Sequence, residues 1–177
     1  MSFAPLHSFD ERELVNEYVC GVVAPNGTIL TRDTTDLSVV GVGNRPAGRV
    51  TNGSISVAGD REIGFLMYPV TETGVTFFNQ VTGTLDYSSA AETPCSILLS
   101  HPGMQIATSA FATSGTGALT VGQSSGNTSP DTLLGVVDGQ YVLQSSFESG
   151  AGSIARAKLI RTMLLDNNIP AICVQVL

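Results

Sequence analysis

Short apolar runs, broken at close intervals by turn-forming residues, occupy most of this chain and leave little room for helices. The breaks are chemically specific. Pro25-Asn26-Gly27, Asn52-Gly53, Gly59-Asp60, His101-Pro102-Gly103 and Asp138-Gly139 all favour tight reversals of the backbone. Strand-like runs at roughly 8–12-residue spacing with such punctuation predict a sandwich or barrel. The expected fold class is therefore all-β: a small β-barrel or sandwich.

Individual elements follow from the same signals. Residues 18–31 read as a hairpin about Pro25-Asn26-Gly27. Arg49–Thr51 and Ser54–Ala58 flank Asn52-Gly53, which predicts a two-residue type I′ turn with glycine at positive φ. Leu133–Val137 and Tyr141–Leu143 flank Asp138-Gly139 in the same way. Residues 32–44 hold a polar loop and a short Val-rich strand. Ile63–Val70, Val75–Phe78, Thr82–Tyr87, Cys95–Leu99 and Met104–Phe111 read as further strands, with Met104, Ile106, Thr108 and Ala110 facing one way. A strand at Leu119–Val121 is expected between loops 112–118 and 122–131. Ile169–Leu177 reads as a strand with Pro170 near its start, where a missing N–H is tolerated.

Two segments depart from this texture. Residues 1–17 read as an N-terminal arm and short helix, because Ser8 and Glu11 have capping-box spacing ahead of Leu14 and Val15. Phe3, Pro5 and Leu6 form an apolar leader before it, with no obvious strand to join, and are the candidate partner-contact residues. In residues 153–165, Ile154, Ala157, Ile160, Met163 and Leu164 share one helical face and Ser153 can cap it. The segment also follows a Gly-rich turn as a strand would, so a C-terminal helix and a strand both fit. Residues 18–177 form one β-rich domain, with 112–131 as the place where a sub-lobe could begin.

Composition narrows the function. Charged residues make up 13% of the 177 positions, about half the usual share, and the net charge is -7. Sparse charge suits strands, turns and a surface packed into an assembly. An acidic chain offers no footprint for nucleic acid or an anionic membrane. No apolar run approaches the ~20 residues of a membrane span, and the N-terminus is too polar for a signal peptide. Cys20, Cys95 and Cys173 are odd in number and far apart, so neither a zinc site nor a disulfide framework is expected. They read as core residues of a protein assembled in a reducing cytoplasm.

Catalytic signals are weak. The two histidines are His7 and His101, and no G-x-S-x-G elbow accompanies them. Residues 41–48, GVGNRPAG, are glycine-rich but match neither dinucleotide-binding nor Walker A spacing. Asp33-Thr34-Thr35-Asp36 offers oxygen ligands without the carboxylate density of a calcium loop. Sugar stacking lacks a Trp, and Phe77 and Phe78 would point to opposite faces of a strand. The expectation is a protein that is not an enzyme and uses no cofactor or metal.

The stretches GVVAPNGTILTRDTT, GRVTNGSISVAGDREIGFLMYPV and FATSGTGALTVGQ, followed by LLGVVDGQYVLQSS and ARAKLIR, carry a resemblance in texture and element order. The chain resembles the decoration, or cement, proteins of tailed-phage capsids. It is longer than many of them, and residues 162–177 extend beyond their usual last strand. The resemblance implies a structural virion protein on the outer surface of the head, assembled in the host cytoplasm. It implies contact with the major capsid protein and a homo-oligomer, most often a trimer, though dimers and monomers also occur. Other virion parts (tail, fibre or baseplate) and a β-sandwich module for sugar or peptide are the alternative readings.

Overall fold

The computed structural model describes residues 3–5, 14–32, 40–42, 45–58, 62–70, 76–79, 84–87, 93–121, 129–165 and 168–177. Fourteen strands lie among them: β1 (Phe3–Pro5), β2 (Leu14–Cys20), β3 (Ile29–Arg32), β4 (Val40–Val42), β5 (Arg45–Thr51), β6 (Glu62–Leu66), β7 (Thr76–Asn79), β8 (Thr84–Tyr87), β9 (Thr93–Leu99), β10 (Gln105–Thr108), β11 (Leu133–Val137), β12 (Gln140–Leu143), β13 (Ala157–Leu165) and β14 (Ile169–Val176). One sheet has the order β1-β10-β14-β13-β11-β12 and a second has β2-β9-β6-β3-β5-β4, while β7 and β8 pair separately. The result is an all-β sandwich.

Sequence explains why both faces of the second sheet are buried. Neighbouring residues in its strands point to opposite sides. Ile29, Phe65 and Leu98 enter the core shared with the first sheet, where they join Ile106, Val136 and Ile172. The next residues in β3 and β6, Leu30 and Leu66, enter a second core with Cys20, Val50, Cys95 and Ile97. That second core exists because the sheet curls. Tyr18–Cys20 of β2 pair in parallel with Gly48–Val50 of β5, in addition to the antiparallel β2–β9 ladder. Continuous apolar runs such as Ile97–Leu99 therefore replace the apolar–polar alternation of a half-exposed strand.

Several expected elements differ. The turn at Pro25-Asn26-Gly27 forms, with Gly27 at φ 81°, but β2 and β3 do not pair with each other. Gly27 instead donates to the Leu66 carbonyl and Ile29 to that of Gly139. Asn52-Gly53 is not a hairpin. The strand ends at Thr51, and Ile55 donates to Val136 O at 3.0 Å, which carries the following segment onto the first sheet. Gly53 lacks positive φ, and its requirement for glycine is spatial: a Cβ there would run into the Thr31 hydroxyl. Leu119–Val121 is not a strand, though Leu119 is buried in the shared core and donates to Ala112 O.

Strands also stand where the end of the N-terminal helix was expected and where the sequence allowed either a helix or a strand. Leu14–Cys20 is β2, so the expected helix does not extend over Leu14 and Val15; its start at Ser8 lies outside the described residues. Ala157–Leu165 is β13, which resolves the ambiguity of 153–165 in favour of strand. A bulge between Leu159 and Arg161 shifts its register against β14, and that irregularity is what gave the sequence its helix-like spacing.

Asp138-Gly139 is the two-residue hairpin that the sequence predicts, with φ of 48° and 73° and Val137 opposite Gln140. The turn docks onto the other sheet: Asp138 N–H donates to Ser54 Oγ at 2.9 Å, and the Ser54 hydroxyl donates to the Asp138 carboxylate at 3.1 Å. A Cβ on Gly139 would sit 2.7 Å from Thr28 Cγ2 and 2.9 Å from Asn52 Cβ. Gly139→Val should therefore lower stability by at least ~1–2 kcal/mol, the cost of the left-handed conformation alone. Thermal unfolding checks it, and an unchanged melting temperature would contradict the turn.

Candidate functional site

The apolar leader has a strand to join. β1 lies antiparallel to β10, with Phe3 opposite Thr108, Ala4 opposite Ala107 and Pro5 opposite Ile106. This corrects the expectation of a leader without a place in the core sheet; Leu6 lies outside the described residues. Proline is at home on such an edge, where a missing N–H breaks no inner ladder.

The two edges of the first sheet are managed differently. The outer edge of β12 is covered. Tyr141 donates to Ala110 O, Ala112 donates to Tyr141 O, and Leu143 donates to Gly117 O, at 2.8–2.9 Å. Residues 110–117 thus act as a cap, anchored by buried Phe111 and Leu119. Among the described residues, nothing pairs with the outer edge of β1. An uncovered edge is a template for another strand.

The titratable groups meet at a second place, between the sheets. Arg156 Nε donates to Glu62 Oε2 at 2.8 Å, with side chains only 7% and 3% exposed. Glu62 also accepts from the Ser100 hydroxyl at 3.2 Å. A bulge places Glu62 there: Leu30 pairs with Gly64 but Thr31 with Glu62, leaving Ile63 as the extra residue. Ile63 then packs on the second core while Glu62 meets the start of β13. Burial pushes the Tyr141 phenol well above its ordinary value, and the Glu62 carboxylate adds to the effect. The geometry of the cluster is that of a charge pair fastening one sheet to the other.

Comparison with family models, with curated proteins and with solved structures found no match.

The remaining sequence candidates are dispersed. His101 sits in the turn after β9, with Nδ1 3.3 Å from Pro102 O. His7 and Asp33–Asp36 lie outside the described residues. The glycine-rich stretch supplies the β4–β5 pairing, Val42 opposite Arg45, rather than a strand-to-helix phosphate loop. Among the described residues, no three His, Cys, Asp or Glu side chains gather as a metal site, and no helix is long and apolar enough to cross a membrane. Sequence reasoning missed the Glu62–Arg156 pair, since 94 residues separate its members and neither belongs to a motif.

Proposed function

We propose that this chain is a structural virion protein, a capsid decoration protein that binds the outer surface of a phage head and braces contacts of the major capsid protein. The observation that carries the reading is the asymmetry of the first sheet, capped along β12 and, among the described residues, without a neighbour along β1. An open edge recruits a neighbour by adding a strand, with main-chain hydrogen bonds supplying the affinity. Sparse surface charge and the resemblance in element order support an assembly role, with a trimer as the favoured state. The neighbour is either another copy of this chain or the major capsid protein.

Removing residues 1–8 tests it. Circular dichroism should retain the β signal, because β1 contributes only three paired residues at one edge. Co-sedimentation with undecorated capsids should fall by about tenfold or more, equivalent to one or two net hydrogen bonds at ~1 kcal/mol each. Full affinity in the truncated protein overturns the edge as the attachment point. Failure of the intact chain to bind any capsid overturns the decoration role and moves the tail, fibre or binding-module readings ahead.

A further inference from the structure

Two asparagines in the chain are followed by glycine, Asn26-Gly27 and Asn52-Gly53. An asparagine amide is open to attack by the main-chain nitrogen of the next residue, and glycine, with no Cβ, hinders that approach least. In a folded protein the reaction is held back when the attacking N–H is engaged in a hydrogen bond and the surrounding turn is fixed.

The fold treats the two pairs differently. Gly27 is buried at φ 81°, and its N–H donates to Leu66 O at 2.7 Å. The turn around Asn26 is tied twice more: the Thr28 N–H and the Thr28 hydroxyl both donate to Pro25 O, at 3.3 and 2.7 Å. Asn52 and Gly53 are half-buried and lie past the end of β5. Among the described residues, no acceptor takes the Gly53 N–H.

We propose that Asn52 is a site of spontaneous covalent modification, converting in water to aspartate and isoaspartate and loosening the crossing between the sheets, while the fold keeps Asn26 intact. The Gly53 nitrogen gives up its proton to solvent base and bonds to Asn52 Cγ. The Cγ–Nδ2 bond breaks, and the side-chain nitrogen leaves as ammonia, closing a cyclic imide. Water then adds to either imide carbonyl and reopens the ring. Opening at one carbonyl gives aspartate. Opening at the other gives isoaspartate, with the side-chain methylene inserted into the main chain. One water is consumed and one ammonia released, and no oxidant or reductant takes part.

The position gives the change its effect. Residues 52–54 carry the chain from one sheet to the other: Thr51 pairs with Thr31, and Ile55 N–H donates to Val136 O at 3.0 Å. A longer main chain between those anchors disturbs the crossing. Asn52 also lies against the Asp138-Gly139 turn, where a Cβ on Gly139 would be 2.9 Å from Asn52 Cβ. Either product sets a carboxylate beside a turn that already holds the Asp138 carboxylate, and like charges at close range repel.

Asn26 is the internal control. Full-length protein is incubated at mildly alkaline pH in water enriched in heavy oxygen, with and without urea, then digested for mass spectrometry. Without urea, the peptide that holds Asn52 should gain the mass of an amide NH2 replaced by a labelled hydroxyl, with Asn26 unchanged. In urea both asparagines should convert, because unfolding removes the protection of Asn26. The converted folded protein should melt at a lower temperature than fresh protein. Asn52→Gln should keep both its mass and its melting temperature through the same incubation without urea. Equal conversion of the two asparagines without urea, faster conversion at Asn26, or an Asn52 that stays intact would each overturn the proposal. An unchanged melting temperature after conversion would overturn the effect on the crossing. The wild-type digest decides the matter even if the variant fails to fold.

Discussion

Replacing Arg156 by alanine should lower the unfolding free energy by about 3–5 kcal/mol, because it strands the Glu62 carboxylate between two sheets. The Glu62 side chain is 3% exposed and, among the described residues, would keep the Ser100 hydroxyl as its one side-chain partner. Glu62→Ala should cost a similar amount by stranding the guanidinium. The sharper measurement is the double variant Glu62→Leu/Arg156→Met. Removing both charges together leaves no buried ion, so the double variant should be markedly more stable than either single alanine variant. Urea unfolding of the four proteins checks this. A loss under ~1 kcal/mol for Arg156→Ala would mean that water reaches the pair and that the sheets are fastened elsewhere.

Phe65→Ala and Leu66→Ala should each destabilise the fold by about 2–5 kcal/mol. These residues are sequence neighbours on opposite faces of β6. In a sheet buried on one side, one of the two substitutions would be nearly silent. Here Phe65 fills the core between the sheets and Leu66 the core inside the curl, and both are fully buried. Comparable losses in both variants support two cores back to back on one sheet. A large loss at Phe65 with a negligible one at Leu66 would show that the curl is open to solvent.

The all-β class was legible because the turn chemistry is local. Asp138-Gly139 needs nothing beyond its own two residues and flanking strands to be read correctly. Pairing partners were less legible, since β3 takes its neighbours from β5 and β6 rather than from β2, the strand before it in sequence. Two bulges blurred the strand period near the segments where the sequence also allowed a helix. In β2 a bulge falls between Val15 and Tyr18, and in β13 another falls between Leu159 and Arg161. One extra residue resets the strand period of two, so Leu14, Val15, Tyr18 and Val19 fall at helix-like intervals. The bulge at Ile63 hid the ion pair in the same way, by turning Glu62 out of phase with the apolar residues after it. The leader was recognised as apolar, but its place beside β10 depends on about a hundred intervening residues and has no local signal.

β14 lies in the middle of its sheet, hydrogen-bonded to β10 on one side and β13 on the other. During synthesis, β10 leaves the ribosome some sixty residues before the strand it needs. Until residues 169–176 emerge, β10 and β13 have no strand between them to join the two parts of the sheet. Folding of this sandwich therefore waits for β14, is dominated by contacts distant in sequence, and is slow by the standard of locally wired proteins. A nascent chain stalled before Ile169 would expose unpaired edges on both β10 and β13, making it a target for chaperones or for aggregation.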